Sequence, residues 1–483
     1  MTSHSSSNAN EAASAYHTEA ESSNPGRGRH ALLFDAGDAS KGGATGNRRW
    51  IELHRPGLEI GRRPTGDGGL PCWELSHRRA SGRHARITWR GDDWFITDLG
   101  STNGTLANGR LICETIRLCD GMFLMFGGQA AVYRLVDDHD FAALKEEETS
   151  PLGPIATSSP RMARMLGRLR RLAPSDEEIF LVGETGVGKE VYARAVHAAS
   201  GRRGSFVPIN CAAMPAELLE SELFGYVRGA HSQAGQAKRG LIEEAQGGTL
   251  LLDEIGDMPS AAQAKLLRFI QTREFTPLGA TTARRLNTRF VAATSQTVFD
   301  TTLSEVVPSV RRDLVGRLGA EPICLPPLRD RPEDLGPLLA HLLATNGAER
   351  MEIEPAAFLA LWLHPWPRNV RELEKVVREA RLYAAGKSQI GLQDLPQSIS
   401  NQVRSVGPPM QPGEPAGTVQ LTPRALEGIR RSPRPLPSRE TLERLLAEHK
   451  GNVARVANVL DRQWAVVHRA LRRYEIDLNR FKE

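Results

Sequence analysis

The chain has 483 residues, which at ~150 residues per domain is enough for about three domains. Hydrophobic residues make up 40% and charged residues 25% of the sequence, values that exclude a wholly disordered, collagen-like or disulfide-stapled chain. The net charge is +5, and residues 421–483 carry the excess, since Lys and Arg outnumber Asp and Glu there by 14 to 8. A basic end of this kind is typical of a nucleic-acid-binding module, although a solvated basic tail would show the same charge.

The sequence lacks the signals of a membrane or secreted protein. No window approaches the ~18 uncharged apolar residues of a membrane-spanning helix. Residues 1–24 are rich in Ser, Ala and Asn, without the basic start and apolar core of a signal peptide. The five cysteines are scattered and never in CxxC spacing, which indicates reduced thiols. We therefore expect a cytoplasmic protein with no membrane partner.

The N-terminal part of the chain changes composition near residue 47. Residues 1–46 are of low complexity, and we expect them to form a disordered tail. From 47 to 137, short segments of alternating apolar residues are separated by Gly, Asp and Asn turns, which predicts an all-β sandwich. The acidic segment 138–152 is predicted to be a linker.

Three short strings of this β region contain groups that can bind a phosphate: GR at 61–62, SGRHA at 81–85 and STNGT at 101–105. An Arg fork with nearby hydroxyl donors can hold a phosphate dianion. With these strings in this order, the region resembles the forkhead-associated (FHA) domain, which binds phosphothreonine peptides. A retained sandwich that serves only dimer contacts is the alternative. The resemblance implies phosphopeptide contacts by Arg62, Ser81, Thr102 and Asn103, and a structural role for His84.

Residues 153–386 alternate between helical patterns and apolar strands, which predicts an α/β domain with a parallel sheet. GETGVGKE at 183–190 follows an apolar strand and opens a helix, so its glycines, its lysine and the helix N-terminus can surround the phosphates of a nucleotide. GGTLLLDE at 247–254 ends a second strand with two carboxylates. Asp253 is placed to hold Mg²⁺, directly or through water, and Glu254 to polarise the attacking water.

This α/β segment resembles the AAA+ ATPase domain of sigma-54-dependent transcriptional activators, which includes a helical lid. Long strings carry the resemblance, among them GETGVGKE, GGTLLLDEIGDMP, CLPPLRDRPEDL and WPRNVRELEKVV. It implies hydrolysis of ATP with Mg²⁺ as cofactor. The residues expected at the ATP site are Gly183, Glu184, Thr185, Gly186, Val187, Gly188, Lys189, Glu190, Ala245, Gln246, Gly247, Gly248, Thr249, Leu250, Leu251, Leu252 and Arg371.

The same resemblance implies further catalytic roles. Asn210 is expected to hold Glu254 until nucleotide is sensed, and Thr294–Ser295 stands where the family usually has a Thr-Asn sensor. Arg311 and Arg317 are expected to reach the ATP of a neighbouring subunit, which implies a homo-oligomer, from a dimer to the hexameric ring of the family. Without the resemblance, these two arginines would be interpreted as a charged helix face.

The loop with which the family contacts sigma-54 departs from the family pattern. The family has GAFTGA, and this sequence has Gly229, Ala230, His231, Ser232, Gln233 and Ala234. The first interpretation is that the loop still engages sigma-54 RNA polymerase. An alternative is a DNA-binding AAA+ regulator that is uncoupled from sigma-54 and acts as a repressor or on another polymerase form. A third is a phosphopeptide-binding adaptor whose ATPase serves only assembly.

The C-terminal end is predicted to hold an all-α DNA-binding domain. Residues 387–437 are rich in Pro and Gly and are predicted to be a linker. In 438–476, a helix at 439–448 precedes two short helices joined by three residues, the pattern of a helix-turn-helix. The segment resembles the Fis-type helix-turn-helix of the same activators, and a helical dimerisation module is the alternative. The candidate DNA contacts are Arg462, Gln463, His468, Arg469, Arg472 and Arg473.

Together these parts predict a multidomain transcription regulator. Its FHA domain would read a threonine-phosphorylated protein or a Ser/Thr kinase. Its C-terminal domain would bind DNA upstream of a promoter, and its ATPase ring would remodel sigma-54 RNA polymerase.

Overall fold

A computed structural model of the chain describes residues 29–34, 49–152, 157–230, 236–295, 310–319, 321–348, 351–403, 439–448 and 456. These residues belong to two units. The first contains the described residues from 29 to 403, and the second contains residues 439–448 and 456. In the described part of the chain, none of the helices combines the length and the apolar character required to cross a membrane.

The first unit begins with a sandwich of two β-sheets, which confirms the all-β prediction for this region. One sheet has the strand order β2-β1-β11-β10-β7-β8, and the other has the order β4-β3-β5-β6-β9. Side chains such as Ile60, Ile87 and Leu124 fill the space between the sheets and are fully buried. The strands are β1 Arg29–Phe34, β2 Trp50–Glu52, β3 Gly57–Gly61, β4 Cys72–Glu74, β5 Ala85–Arg90, β6 Asp93–Asp98, β7 Thr105–Ala107, β8 Arg110–Leu111, β9 Ile116–Arg117, β10 Met122–Phe126 and β11 Gln129–Val136.

The tail predicted over 1–46 contains a strand of this sandwich, so the prediction is wrong for residues 29–34. β1 pairs antiparallel with β11, with Arg29 opposite Val136, and it also pairs with β2. Leu32 is buried in the core between the sheets. This strand was not predicted because its six residues stand beside a low-complexity segment. Their main pairing partner, β11, lies about a hundred residues away in the sequence.

The segment predicted as a linker over 138–152 is largely a helix, α1 Asp138–Thr149. The Asp137 carboxylate caps it by accepting a hydrogen bond from the Asp140 N–H at 2.7 Å. Phe141 and Leu144 are buried on its inner face, and the Phe141 ring lies 4.6 Å from that of Trp50. The linker prediction fails because a few apolar residues in an acidic segment suffice to dock a helix.

The sandwich is followed by an α/β subdomain around a parallel sheet of order β13-β14-β17-β12-β18, as predicted. Its central strands are apolar and buried, as expected when helices cover both faces. The sheet strands are β12 Ile179–Val182, β13 Phe206–Asn210, β14 Thr249–Asp253, β17 Arg289–Thr294 and β18 Ile323–Cys324, with a separate pair β15 Glu274–Phe275 and β16 Arg284–Arg285. The helices are α2 Pro160–Leu172, α3 Lys189–Ala199, α4 Ala216–Phe224, α5 Leu241–Glu244, α6 Ser260–Thr272 and α7 Arg312–Leu318.

A helical lid follows and ends later than the predicted boundary at 386. Ile390 and Ile399 are buried in the lid core, so residues 387–403 belong to the lid and not to the predicted linker. The Pro- and Gly-rich composition that suggested a linker is concentrated after residue 403, outside the described residues. The lid elements are α8 Leu335–Thr345, β19 Glu352–Ile353, α9 Pro355–Leu363, α10 Asn369–Tyr383, β20 Gln389–Ile390 and α11 Gln397–Ser400.

The second unit contains α12 Arg439–Glu448, the helix predicted at this position. Leu442, Leu445 and Leu446 are buried along one side of it. The predicted helix-turn-helix that follows lies outside the described residues, apart from Val456. So do all six candidate DNA contacts, and the DNA-binding domain therefore stays a prediction.

Candidate functional site

The glycine-rich loop 183–188 joins β12 to α3 at the carboxyl edge of the parallel sheet. Lys189 begins α3 and is buried, and its ammonium donates to Gly183 O at 3.0 Å. Gly186 has φ +82°, and a Cβ there would lie 2.3 Å from Arg368 O, so this position requires glycine. A glycine turn, a lysine and a helix N-terminus form the arrangement that binds nucleotide phosphates.

Asp253 and Glu254 stand at the same edge, where β14 ends. Glu254 is largely buried and has φ +52°, an unfavourable backbone conformation for a residue other than glycine. Its Oε2 accepts hydrogen bonds from the Ser295 N–H at 2.8 Å and the Ser295 hydroxyl at 2.9 Å, and its Oε1 lies 3.4 Å from Lys189 Nζ. Burial raises the pKa of Asp253, and the positive charge of Lys189 partly opposes this shift.

Asn210 lies beside this pair but makes different contacts from those expected. It ends β13, directly opposite Asp253 in the parallel register. Its Oδ1 accepts from the N–H groups of Ala212 at 2.9 Å and Ala213 at 3.2 Å, capping the 3₁₀ turn 211–213. The hold on Glu254 that was expected from Asn210 is made here by Ser295, which the sequence had marked only as an altered sensor.

The lid contacts the phosphate-binding loop through a polar cluster. Arg329 donates two hydrogen bonds to the Glu184 carboxylate, one of them 2.7 Å long, and these hydrogen bonds are the main reason that the pKa of Glu184 is lowered. Asn369 Nδ2 donates to Glu184 Oε2 and Thr185 O, each at 3.1 Å. The Arg371 N–H donates to Gly186 O at 3.3 Å, so Arg371 lies beside the loop, and its contact with ATP stays a prediction. Sequence reasoning missed Arg329 and Asn369, although both lie in the strings that carried the resemblance.

Part of the predicted ATP site is not at this edge. β14 meets the loop edge only at its carboxyl end, and at ~3.3 Å per residue its amino end lies on the order of 13 Å away. Here Gly247 O accepts from the Gly204 N–H, and Gln246 Oε1 accepts from the Asn287 N–H. Leu250, Leu251 and Leu252 are buried within the sheet. The first four of the eight residues predicted here precede β14 and the last four lie in it, and their contacts with ATP stay a prediction: Ala245, Gln246, Gly247, Gly248, Thr249, Leu250, Leu251 and Leu252.

The two arginines expected to act on a neighbouring subunit lie at the two ends of α7. Arg311 precedes the helix, and its guanidinium pairs with the Asp313 carboxylate at 2.7 Å. Arg317 stands in the last turn. Both arginine side chains are exposed, so a neighbouring molecule can reach them.

The sandwich brings the four predicted phosphopeptide contacts together in adjoining loops. Arg62 follows β3, and its Nε donates to Ala80 O at 2.5 Å. Ser81 and Thr102 meet across the two loops, since the Thr102 N–H donates to Ser81 Oγ at 2.9 Å. Asn103 Nδ2 donates to Arg79 O at 2.7 Å.

His84 has the structural role that was predicted, since its ring joins two of these loops by hydrogen bonds. Its Nδ1 accepts from the Ser81 N–H at 3.0 Å, and its Nε2 donates to Gly104 O at 3.2 Å. Burial lowers the pKa of this fully buried ring, which favours the neutral form that this pattern requires.

Glu59 fixes the segment after Arg62, a role that the sequence did not reveal. Burial by itself raises the pKa of the Glu59 carboxyl. Hydrogen bonds from Arg86, from the Thr65 N–H and from Arg83 outweigh this effect and bring the pKa down to about 2. The carboxylate is therefore charged and anchors the start of the loop.

The predicted sigma-54 loop is described only at its base. Gly229 has φ +82°, and the Ala230 N–H donates to Val227 O at 3.2 Å, forming a turn. His231, Ser232, Gln233 and Ala234 lie outside the described residues. Tyr226 pairs with Lys238 and Leu278, which fixes the point where this segment leaves the subdomain.

Fold and sites together define a P-loop ATPase of the AAA+ class joined to a β-sandwich of the FHA type. Comparisons with family models agree: the FHA domain matches residues 58–127, the sigma-54 interaction domain 155–324 and the AAA+ ATPase lid domain 329–410.

Similar proteins place the chain more narrowly. The regulatory protein AtoC of Escherichia coli K12 is 37% identical over 330 residues, which are 67% of this chain and 68% of AtoC. The sigma54-dependent transcriptional activator SfnR of Pseudomonas putida is 42% identical over 243 residues, 49% of this chain and 65% of SfnR. The crystal structure of NtrX from Brucella abortus in complex with ATP is 28% identical, with a TM-score of 0.47, over 70% of this chain and 73% of NtrX. The chain belongs to the family of sigma-54-dependent transcriptional regulators, with an FHA domain and an AAA+ ATPase domain.

Proposed function

We propose that this protein uses ATP hydrolysis to remodel sigma-54 RNA polymerase under the control of a phosphothreonine signal. The observation that carries the proposal is the position of Glu254, held by Ser295 beside the lysine of a phosphate-binding loop, in a chain of this family. ATP is the substrate. The alternative of a regulator uncoupled from sigma-54 rests only on the GAHSQA loop, and the family relationship weighs against it.

In this proposal the edge of the sheet performs the hydrolysis. Lys189 binds the β- and γ-phosphates, and Glu254 polarises the water that attacks the γ-phosphate. The carboxylate of Asp253, next to Lys189, is of the donor type that Mg²⁺ prefers, and the residues present therefore fit this cation. Bound there, Mg²⁺ neutralises charge on the phosphates. Glu190, which takes the place of the usual Ser or Thr, lies in the first turn of α3.

We also propose that hydrolysis requires a homo-oligomer, from a dimer to a hexameric ring. The exposed position of Arg311 and Arg317 supports this, because an arginine supplied by a neighbour can raise the rate by roughly 10³–10⁵. Mixing the Arg311→Ala chain with the Glu254→Gln chain tests the arrangement. Each should be inactive alone, and the mixture should recover activity, since some interfaces then join an intact arginine to an intact glutamate. No recovery at any ratio would contradict an arginine acting in trans.

The sigma-54 contact can be tested by binding. The full chain, held with a non-hydrolysable ATP analogue, should retain purified sigma-54 on a column, and the Gly229–Ala234 segment should carry the contact. Replacing His231 and Ser232 with alanine should abolish retention without changing ATP turnover. Retention that persists in this variant would contradict the assignment of the contact to this loop.

The FHA domain is proposed to bind a threonine-phosphorylated protein or a Ser/Thr kinase. The convergence of Arg62, Ser81, Thr102 and Asn103 in three adjoining loops supports this proposal. A guanidinium and hydroxyl groups match the charge and the acceptor oxygens of a phosphate.

The C-terminal segment is proposed to tether the protein to DNA in the cytoplasm. The positive charge of 421–483 supports this role, with the six predicted contacts from Arg462 to Arg473. Replacing Arg472 and Arg473 with alanine should weaken binding to any duplex and reduce its salt dependence, since these arginines are expected to meet phosphates. An unchanged salt dependence would remove that assignment.

A further inference from the structure

The FHA sandwich is docked on the ATPase lid through the outer face of β10. The strand reads MFLMF, and all five residues are buried. Met122, Leu124 and Phe126 face the core between the two sheets, whereas Phe123 lies on the opposite face. The Phe123 ring stacks on Trp362 of α9, with the ring centroids 4.5 Å apart, and lies 6.2 Å from the Phe358 ring.

An ion pair beside this stack continues the contact. Arg134 of β11 donates to the Glu333 carboxylate at 3.1 Å, and Glu333 is only 5% exposed. Removing Arg134 would take this charged partner from the buried Glu333 carboxylate, whereas Arg134 also pairs with Asp120 at 3.6 Å. The neighbours of Glu333 lead to the nucleotide site: Asp334 accepts from the Thr157 hydroxyl, and the buried Arg331 donates to Val187 O, directly before Gly188 and Lys189.

A second contact joins the same sandwich to the α/β subdomain. Phe141 and Leu144 of α1 pack on Trp50 of β2, and Ala163 of α2 completes this cluster. Other residues of α2 belong to the core around the parallel sheet. The sandwich therefore holds both parts of the ATPase, the α/β subdomain through α1 and α2 and the lid through Phe123 and Arg134.

The loop between β4 and β5, which contains Arg78, Arg79 and Ser81, contacts the β10–β11 hairpin and the lid. Gly127 and Gly128 form the turn between β10 and β11; a Cβ at Gly127 would lie 2.4 Å from Arg79 O, the acceptor for Asn103. Next to Arg79, the Arg78 guanidinium lies 3.6 Å from the Glu352 carboxylate of the lid. A peptide held by Arg62, Ser81 and Asn103 would thus act on a loop that contacts both the docked hairpin and the lid.

We propose that the FHA sandwich is a brace that restrains the lid against the α/β subdomain and so limits ATP turnover, and that a phosphothreonine peptide relieves this restraint. Lids over a binding site move when the substrate binds and the product leaves, and a body packed on both the lid and the α/β subdomain opposes that motion. The second half of the proposal rests on the proposed phosphopeptide function, whereas the first half does not.

The experiment measures ATP turnover of the full chain at saturating ATP. The protein concentration is high enough that the rate per subunit no longer changes with it, so that assembly does not limit the rate. Phe123→Ala and Trp362→Ala should each raise turnover at least about threefold, and the double variant should exceed neither single variant, because one contact is lost in all three. Tyr383→Ala, which removes an exposed lid aromatic outside the contact, is the matched control and should leave turnover unchanged. Should Phe123→Ala fail to fold, Trp362→Ala tests the contact from the lid side.

A pool of peptides with phosphothreonine at the centre of randomised positions then tests the relief, with the unphosphorylated pool as control. The pool should raise turnover of the wild-type chain and leave Trp362→Ala unchanged, because its brace is already released. Wild-type turnover in Phe123→Ala and Trp362→Ala would overturn the brace. If the peptide pool binds and raises ATP turnover equally in wild type and Trp362→Ala, the proposal that the peptide acts by relieving the restraint is overturned. Failure of the pool to bind, with turnover raised in both variants, would refute the proposed phosphopeptide function and leave the brace standing.

Discussion

Ser295 donates two hydrogen bonds to one carboxylate oxygen of Glu254, from its backbone N–H at 2.8 Å and from its hydroxyl at 2.9 Å. Glu254 has a strained backbone, so its side-chain position depends on such partners. Ser295→Ala removes the hydroxyl bond and keeps the backbone bond. We expect kcat for ATP hydrolysis to fall about tenfold with little change in KM, since one hydrogen bond to a charged group contributes about 1.5–3 kcal/mol.

The conservative variant Ser295→Thr keeps a hydroxyl and should restore most of the rate. Steady-state ATPase assays of the three chains decide the question. A loss confined to KM would show that Ser295 acts in substrate binding and not on Glu254.

The second prediction concerns the contact between lid and phosphate-binding loop. Arg329→Ala removes both hydrogen bonds to Glu184 and should weaken the binding of ADP about tenfold, because the loop loses its charged support from the lid. Arg378→Ala removes another lid arginine, paired with Glu374 on the exposed side of α10, and serves as the control. Titration calorimetry measures both affinities. Equal affinities in the two variants would contradict a role for Arg329 in shaping the site.

The third prediction concerns the loops of the sandwich that we propose bind phosphothreonine. Arg62→Ala should reduce binding of the phosphothreonine peptide pool about a hundredfold, since it removes the cationic fork. Arg63→Ala removes the neighbouring exposed arginine and should bind normally. Thermal melting of both variants checks that the sandwich is intact. A similar small effect in both variants would remove the assignment of Arg62.

The fourth prediction is a pH dependence at the junction of α1 and α2. Burial raises the pKa of Glu147 to about 7, and the nearby Arg170 opposes this shift only in part. The folded chain therefore binds the proton more tightly than the unfolded chain, for which the ordinary value is 4.5. The contribution of protonated Glu147 to the free energy of unfolding is complete below pH 4.5 and is lost as the pH rises through 7. The loss is at most about 3 kcal/mol.

Glu147→Gln should remove this loss, so that the variant gains stability relative to wild type as the pH rises from 5 to 8. Glu146→Gln, which removes the more exposed carboxylate beside Arg170, is the control and should keep the wild-type dependence. Denaturant unfolding across this pH range measures the difference. Parallel curves for wild type and Glu147→Gln would show that Glu147 does not titrate in this range.

The sites that were predictable from the sequence are those whose chemistry is local. Arg62, Ser81 and Lys189 could be found because glycine turns and phosphate-binding groups stand together in short strings. The role of Ser295 was not predictable, since its partner Glu254 is 41 residues away and only the folded sheet brings them together. Strand β1 was missed for the same reason.

The docking of the sandwich on the lid has one signature in the sequence. The uninterrupted apolar run MFLMF at 122–126 is typical of a strand buried on both faces, not of one with a solvated face. Because the neighbouring segments alternate between apolar and polar residues, this run was grouped with them. A contact through the outer face of β10, at Phe123, was therefore not predicted. Arg134 and Glu333 could not have been paired from the sequence, because they are 199 residues apart.

Promoter opening measures the remodelling of sigma-54 RNA polymerase itself. Purified sigma-54 RNA polymerase and a supercoiled template with a sigma-54 promoter would be incubated with ATP and the full chain, and reactive unpaired thymines would be mapped. The wild-type and Trp362→Ala backgrounds would both be used. We expect ATP-dependent opening that is lost in Glu254→Gln. ATP hydrolysis without opening, with opening gained only when His231, Ser232 and Gln233 are changed to Phe, Thr and Gly, would contradict it.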